Sequence, residues 1–414
     1  MCGKGLKQAC PPAPPTTMAS LGAPARSPSP AQTTFPRTMS KILHTADWQI
    51  GRLYSSFEAE DAAALAEARF AAVERLAALA TEHAVDAVVV AGDVFDAQTV
   101  SARCIRRLFN ALQGYAGPWV MMPGNHDAAL AESVWTHAAR LGAVPPQVRL
   151  ALAPQVIELP ESRIALLCAP LTQRHTHGDL SDWFDSAATP AGWLRIGVAH
   201  GAVQGLLAEG IDSANPIAAD RVTRARLDYL ALGDWHGCKR INAHCWYSGT
   251  PEPDRFKAND AGMALLVSFE QPGEAPQVTP LHTAQYHWQQ WTHALAVASD
   301  LDALIKRLAE AEASDVLDLS LSGQLDLADH GRLQQALGAA QARARCLRSD
   351  LAELRLAPTA QDIAALQADG YLGELIVDLR ERSLMPGDEA RRAQDALAIL
   401  TGLLARRGER VGPS

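Results

Sequence analysis

The sequence lacks long apolar segments: no uninterrupted run approaches the roughly 18 residues that a membrane span requires. We therefore expect a soluble, cytoplasmic protein rather than an integral membrane protein. Positive charge is also scarce, with 37 Lys and Arg against 46 Asp and Glu and a net charge of -9. Because phosphate binding draws its affinity from Lys and Arg, a protein whose whole surface attracts nucleic acid is excluded. A role with nucleic acid requires a local patch, a metal centre or a basic partner.

Paired cysteines are missing as well. The 414 residues include seven cysteines and no C-x-x-C pair, which favours free thiols in a reducing compartment. The chain is 48% apolar and long enough for two or three domains.

Residues 1–38 differ from the rest of the chain. They hold eight of the 25 prolines, four basic residues and no Asp or Glu, so we expect a disordered tail. A strand pattern begins after Met39, so the alternative to a disordered tail is a protein that starts at Met39, with the upstream start codon chosen in error. With +4 in the tail and -9 in the whole chain, residues 39–414 carry -13.

Residues 39–293 alternate β-rich runs with helical periodicity, the pattern of a layered α/β domain. After residue 238 strands follow without helices, which predicts two packed β-sheets flanked by helices. Residues 294–414 predict a smaller C-terminal α+β and helical domain. The predicted strands lie near 41–47, 87–93, 119–124, 163–169, 194–200, 228–233, 240–248, 262–269 and 285–292. The predicted helices of the first domain lie near 57–83, 100–112, 130–141 and 217–227.

Acidic, amide and imidazole side chains follow five successive predicted strands, each beside a glycine. Open α/β sheets bind ligands at these strand ends. Singly, each residue has a structural explanation as a turn or helix cap, but the whole set indicates a metal site. Seven side chains are too many for one tetrahedral zinc and suit two metals that share a carboxylate. The set is Asp47, Gln49, Asp93, Asn125, His200, Asp234 and His236.

The order D-x-[H/Q], G-D-x-x-D, G-N-H-D, H-G and G-x-x-H resembles the calcineurin-like metallophosphoesterases. Within that superfamily, the segments at 44–51, 92–96 and 247–253 most resemble SbcD-type DNA repair exonucleases. The resemblance covers residues 41–293 well and the remainder in outline.

The resemblance implies two metal sites, with manganese the usual ion of the family. Asp47, Gln49, Asp93 and His236 would hold one metal, and Asp93 would bridge to a second held by Asn125, His200 and Asp234. His126 would face the scissile phosphate and protonate the leaving oxygen or stabilise the transition state, with Asp127 as the group that orients it.

Two positions depart from the family pattern. Gln49 stands where a histidine is usual, and Asp234 stands where the closing G-H-x-H motif has its first histidine. The donor set becomes five oxygens and two nitrogens, which favours manganese or magnesium over zinc. The Gln49 exchange also puts the affinity of that metal in doubt.

Other residues suggest substrate and partner contacts. Arg52, Tyr54 and Arg255 are candidates for phosphate or base contacts, whereas Trp48 and Trp235 are expected to pack beneath the metal loops. The C-terminal domain resembles the capping domain of these nucleases, and its arginine-rich final helices could dock on a partner. In the family that partner is an SMC-like coiled-coil ATPase, and the nuclease subunit commonly forms a homodimer.

Three functions follow as hypotheses. The first is a manganese-dependent DNA exonuclease, with endonuclease activity as an additional expectation, acting in DNA repair. The second is a phosphodiesterase or phosphatase for a small molecule, which uses the same metals. The third is a non-catalytic regulatory subunit with a degenerate metal site.

Overall fold

The structure is a computed structural model that describes residues 12, 39–205, 215–357, 359 and 371–409. The proline-rich tail, apart from residue 12, lies outside the described residues. In the C-terminal domain the sequence also predicts a helix at 359–368, most of which lies outside the described residues. Labels below follow chain order. The helices are α1 Ala59–Glu82, α2 Ala102–Ala111, α3 Val134–Arg140, α4 Arg221–Arg224, α5 Ala298–Ala309, α6 Leu327–Gln341, α7 Tyr371–Ser383 and α8 Asp388–Glu409.

Seventeen strands accompany these helices among the described residues. They are β1 Ser40–Thr45, β2 Ala87–Ala91, β3 Trp119–Met122, β4 Val148–Leu150, β5 Gln155–Leu159, β6 Ile164–Ala169, β7 Leu194–His200, β8 Ala202–Val203, β9 Pro216–Ile217, β10 Tyr229–Gly233, β11 Lys239–Asn242, β12 Cys245–Tyr247, β13 Met263–Phe269, β14 Gln277–His282, β15 His287–Leu295, β16 Asp315–Leu325 and β17 Cys346–Leu356.

Two six-stranded mixed sheets form the first part of the fold. Their strand orders are β14-β13-β1-β2-β3-β4 and β11-β12-β10-β7-β6-β5. Strands β1 to β4 run parallel to one another, as do β6, β7, β10 and β12. Every residue of β2, β3, β6 and β10 is buried, as expected for parallel strands covered on both faces.

The hydrophobic core lies in layers. One cluster joins the two sheets, with Ile42 and Val89 of the first against Leu166 and Val198 of the second. A second cluster lies between the first sheet and helices α1 to α3, and a third covers the outer face of the second sheet. The predicted fold class, two packed sheets flanked by helices, is confirmed.

A third, parallel sheet with the order β15-β16-β17 packs against α5 and α6. Because β15 begins at His287, the boundary proposed between residues 293 and 294 falls inside this strand. Trp291 and Leu295 of β15 are buried in the same cluster as Leu317 of β16. The third sheet therefore includes residues that the sequence pattern assigned to the first domain.

Local differences from the predicted elements have identifiable causes. The helix expected near 130–141 begins only at Val134, because the Ser133 hydroxyl accepts a hydrogen bond from the Thr136 amide (3.3 Å) and caps it. The helix expected near 217–227 is reduced to one turn, since Pro216 and Ile217 pair with Ala202 and Val203. No helix in the described parts of the chain is long and apolar enough to cross a membrane.

Candidate metal centre

The loops that follow β1, β2, β3 and β10, together with the end of β7, meet at one edge of the two sheets. Five residues in these loops adopt a left-handed backbone, which non-glycine residues seldom do and which is concentrated at functional sites. Their φ angles are 54° at Asp47, 49° at Gln49, 53° at Asp93, 102° at Asp234 and 60° at His236. These loops therefore hold their side chains in a conformation that the rest of the structure must impose.

Glycines allow the close approach of these loops. A Cβ on Gly92 would lie 2.2 Å from Nδ1 of His200, and a Cβ on Gly124 would lie 2.2 Å from Oδ1 of Asp93. A Cβ on Gly233 would lie 2.1 Å from the Ala91 carbonyl oxygen. Any side chain at these positions would displace the neighbouring loops or the polar side chains they carry.

A first group of polar side chains consists of Asp47, Asp93 and His236, whose donor atoms lie within 4.8 Å of one another. All three residues are buried. Gln49 joins them, because its Nε2 donates a hydrogen bond to Oδ2 of Asp93 (2.8 Å). Its Oε1 is buried and has no hydrogen-bond partner among the described residues, which leaves an oxygen lone pair for a cation.

A second group surrounds Nε2 of His200. This atom lies 3.1 Å from Oδ1 of Asn125, 3.6 Å from Oδ1 of Asp93 and 3.7 Å from Oδ1 of Asp234. The two groups share Asp93. The seven expected donors thus lie close together in two groups that share one carboxylate, and their role as metal ligands stays a prediction.

In two of the histidines, the ring nitrogen Nδ1 has a partner of its own outside the donor groups. Nδ1 of His200 lies 2.8 Å from the Ala91 carbonyl oxygen, which can only accept, so Nδ1 carries a proton and Nε2 is the ring nitrogen that faces the group. His236 lies with Nδ1 3.3 Å from Oδ2 of Asp254. A carboxylate in this position fixes the tautomer and orients the ring of a metal-binding histidine.

Asp254 was not found from the sequence, because no strand end or motif marks it. Its side chain is 1% exposed and also forms ion pairs with Arg255 (2.8 Å) and Arg52 (3.4 Å). Although burial opposes ionisation, the hydrogen bond and charge of His236 and the neighbouring arginines hold the pKa of Asp254 well below its usual range. Asp254 is therefore an ionised group behind His236.

Asp127 does not orient His126 in this structure. Its oxygens accept hydrogen bonds from the backbone N–H groups of Gly124 (2.7 Å), Val94 (3.0 Å) and Phe95 (3.2 Å). The carboxylate thereby ties the loop after β2 to the loop after β3. His126 is oriented instead by the carbonyl oxygen of Asp96, 2.8 Å from its Nδ1.

The ring of His126 points its other nitrogen toward the shared carboxylate. Nε2 lies 4.0 Å from Oδ2 of Asp93, and the side chain is 29% exposed. Because the Asp96 carbonyl accepts the Nδ1 proton, Nε2 is the atom that can exchange a proton with a bound substrate. The residue is thus accessible to solvent beside the donors, five of which are buried: Asp47, Gln49, Asp93, His200 and His236.

Burial strongly affects the charges in the centre. Desolvation raises the pKa of Asp47 and of Asp234, and burial together with the charge of Asp93 raises the pKa of Asp127 to about 8. Burial alone would lower the pKa of His200, but the charges of Asp93, Asp234 and Asp47 raise it to about 9. Such a concentration of buried carboxylates is stabilised by any cation that neutralises it.

The three candidate substrate contacts have different surroundings. Tyr54 is 6% exposed, and its hydroxyl accepts a hydrogen bond from Nε of Arg69 (2.8 Å), so it belongs to the core rather than to a substrate surface. Arg52 pairs with Asp96 (3.2 Å) as well as with Asp254. Arg255 keeps a side chain that is 47% exposed beside His236.

The two tryptophans of the motifs also differ. Trp48 is 1% exposed and packs beneath the loops, with Nε1 donating to Oγ1 of Thr45 (2.9 Å). Trp235 is only half-buried, and the ammonium groups of Lys239 and Lys257 lie over its ring. Trp235 nevertheless packs against the apolar cluster on the outer face of the second sheet, so the expectation of a packed tryptophan is met for the buried part of its side chain.

The donor set fits two divalent cations. It supplies carboxylate, carboxamide and imidazole groups, an unpartnered buried oxygen on Gln49 among the described residues, and a cradle of glycines that side chains would fill. Hard oxygen donors of this kind suit manganese or magnesium.

Comparisons with known proteins match this chain to one family and to several similar proteins. The model of the family described as "Calcineurin-like phosphoesterase" matches residues 40–267. A protein named as a subunit of the nuclease SbcCD in Rhodobacter capsulatus is 43% identical over 96 residues, 22% of this chain and 22% of that protein, so this match spans about a fifth of either length. The protein of the same name in Bacillus subtilis is 24% identical over 348 residues, 72% of this chain and 83% of that protein. "DNA double-strand break repair protein Mre11" of Methanosarcina acetivorans is 26% identical over 248 residues, 56% of this chain and 37% of that protein.

Proposed function

Because the chain belongs to the calcineurin-like phosphoesterase family, we propose that it is a metal-dependent DNA nuclease that hydrolyses phosphodiester bonds in DNA repair. The resemblance to SbcD-type metallophosphoesterases is confirmed by the relatives that it matches. The finer assignment, an exonuclease with additional endonuclease activity, is the proposal.

The convergence of six donors around the carboxylate of Asp93, itself the seventh, carries this proposal. Asp47, Gln49 and His236 would hold one ion with Asp93, and Asn125, His200 and Asp234 would hold the second with the same carboxylate; the 3.1 to 3.7 Å separations around Nε2 of His200 support the second set. When bound, two divalent ions supply a water of lowered pKa and neutralise the phosphate oxygens. Manganese is the ion we propose, since five of the seven donors are oxygens.

The protein side of the mechanism depends on His126. Its Nδ1 proton is held by the Asp96 carbonyl oxygen (2.8 Å). When the ring is protonated at both nitrogens, Nε2 gives its proton to the leaving oxygen of the substrate, and the ring is left neutral with its remaining proton on Nδ1. The partial exposure of the ring, 29%, lets it reach a phosphodiester that lies at the edge of the centre. Asp127 acts one step further away, by holding the loop that carries Asn125 and His126.

DNA is favoured over a small-molecule ester by two observations. The names of the matched relatives describe nucleases and a DNA repair protein. The chain also continues beyond the family match at residue 267 with a third sheet and helices, for which a small-molecule hydrolase has less need. A non-catalytic role is disfavoured, since Asp93, Asn125, His126, His200 and His236 are all present and adjacent.

An SMC-like ATPase is the partner that we propose, with a homodimer of the nuclease subunit. Six of the nine large apolar side chains that are exposed in the described parts of the chain lie on α7, on α8 or in the turn between them. Exposed apolar side chains that are concentrated in one part of the chain indicate a docking surface. They are Tyr371, Val377, Leu384, Met385, Ile399 and Leu403.

The test uses the full chain with manganese, magnesium or zinc, and compares single-stranded and duplex DNA ends with a chromogenic phosphodiester and a phosphomonoester. We expect manganese to support cleavage of DNA and of the diester. Activity on the monoester alone would contradict the nuclease proposal, and binding of metal without hydrolysis of any substrate would favour the regulatory alternative.

A further inference from the structure

Two of the chain's few lysines lie at one tryptophan. The sequence has six lysines, against 31 arginines among its 37 basic residues. The Nζ atoms of Lys239 and Lys257 lie 4.7 Å and 4.4 Å from the centroid of the Trp235 ring. The face of an indole attracts an ammonium group, so the ring holds both charges in one place.

This place adjoins the metal centre. Trp235 stands between Asp234 and His236, whose side chains contribute to the two donor groups. The segments that carry the two lysines are joined directly, because the backbone N–H of Cys238 donates to the carbonyl oxygen of Asp260 (3.2 Å). The contact is close: a Cβ on Gly237 would lie 2.1 Å from the Asn259 carbonyl oxygen. The backbone segments that carry the two lysines are therefore fixed against each other, next to the loop that carries Asp234 and His236.

Both lysines are available to an anionic ligand. Among the residues that the structure describes, neither forms an ion pair, whereas the nearby Arg52 and Arg255 are paired with Asp254. Lys257 is exposed and Lys239 is half-buried. Arg255 and Lys257 also line an open cleft of about 260 Å³, in which Asp260 is the only carboxylate among the described lining residues.

We propose that Lys239 and Lys257, held over Trp235, form a phosphate clamp that binds the backbone of a DNA strand next to the bond that is cleaved. This inference rests on the proposed function and adds to it the residues that bind the DNA backbone. Residues 39–414 carry -13, so the surface as a whole repels DNA and local cations are needed to hold it. The stacking of each lysine on the indole restricts its motion before DNA binds, which reduces the entropy that binding must remove.

The test compares the wild-type full chain with the Lys239→Ala/Lys257→Ala double variant. Binding of a fluorescent single-stranded oligonucleotide is measured by anisotropy at several salt concentrations, with calcium in place of manganese. Loss of two phosphate contacts should weaken binding about 25-fold at 0.1 M salt and reduce the slope of log Kd against log salt by about 1.4, from roughly 0.7 per contact. With manganese, the ratio of kcat/KM for DNA to kcat/KM for the chromogenic diester should fall by about tenfold or more.

Two matched variants serve as controls. Lys239→Arg/Lys257→Arg keeps both charges and should restore most of the DNA affinity. Lys306→Ala removes an exposed lysine of α5 and should leave affinity and salt slope as in the wild type. A double alanine variant with wild-type affinity and slope would overturn the clamp while the nuclease remains. A wild-type protein that hydrolyses the diester but neither binds nor cleaves DNA would overturn both proposals.

Discussion

At the scale of single residues, Asp93 and His126 separate metal binding from proton transfer. Asp93 belongs to both donor groups, whereas His126 is held by a backbone carbonyl and contributes no donor to either. We expect Asp93→Asn to abolish manganese binding and to lower activity by roughly a thousandfold or more. His126→Gln should lower turnover by about 100- to 10,000-fold and retain the metal. Manganese binding of both variants is measured by calorimetric titration, and activity by hydrolysis of the diester. A His126→Gln variant with near wild-type turnover would refute the assignment of proton transfer to His126.

Asp254 leads to a second prediction at this scale. Its carboxylate lies 3.3 Å from Nδ1 of His236 and fixes the direction in which Nε2 points. Second partners of this kind contribute about 10- to 100-fold to metal affinity, so Asp254→Asn should weaken manganese binding by about that factor. Asp260→Asn, which changes a carboxylate of the neighbouring cleft, is the matched control. Equal manganese affinity in the two variants would mean that Asp254 has no positioning role.

At the scale of elements, the approach of the strand-end loops depends on Gly124. A Cβ there would meet Oδ1 of Asp93 at 2.2 Å and the Asp93 nitrogen at 2.5 Å. Gly124→Ala should therefore lower the free energy of unfolding by about 1–3 kcal/mol, as overpacking does, and weaken metal binding. Gly331→Ala provides the contrast: this exposed glycine in α6 has no atom within 4 Å of an added Cβ, so a gain of about 0.5–1 kcal/mol is expected. The free energy of unfolding of both variants is measured by denaturant titration. A Gly124→Ala variant as stable as the wild type would contradict the packing argument.

The elements also separate what the sequence can predict from what it cannot. The convergence of the donor side chains was predictable, because parallel strands with buried residues throughout direct their carboxyl ends to one edge, where polar residues beside glycines stand out. The short edge strands β4 and β5 were not, because three to five residues of mixed burial carry little pattern. Asp254 was missed for another reason: its importance arises from a contact with His236, eighteen residues away in sequence, and no local periodicity reports such a contact.

At the scale of the molecule, the net negative charge is compatible with a phosphate substrate only when the positions of the charged residues are considered. A net charge of -9 argues against a general affinity for nucleic acid. Part of that charge consists of Asp47, Asp93 and Asp234, which divalent ions would neutralise, and two of the few lysines lie at Trp235. The same composition thus fits the proposed nuclease, in which most of the surface repels DNA and the proposed metal centre binds it.

The contact between the two large sheets contains a titratable group, His44, which links acid stability to the architecture. His44 of β1 accepts a hydrogen bond at Nδ1 from the Tyr229 hydroxyl (3.0 Å) and donates from Nε2 to the Leu232 carbonyl oxygen (3.2 Å), both on β10. Burial lowers the pKa of His44 to about 3, so the ring is neutral in the folded protein and its Nδ1 is free to accept. In the unfolded chain His44 has a pKa near 6.5. The unfolded chain therefore binds a proton at pH values at which His44 of the folded protein stays neutral.

The sign follows from that difference. Stability contributed by the neutral ring is complete above about pH 6.5 and is lost as the pH falls toward about 3, so this group alone should remove about 2 kcal/mol of unfolding free energy between about pH 7 and pH 5. His44→Gln offers the same donor and acceptor without titrating. We therefore expect the wild type to lose about 2 kcal/mol more than the variant over this range, measured by urea unfolding in identical buffers. Parallel pH profiles would show that the folded protein accommodates a charged imidazole between its sheets.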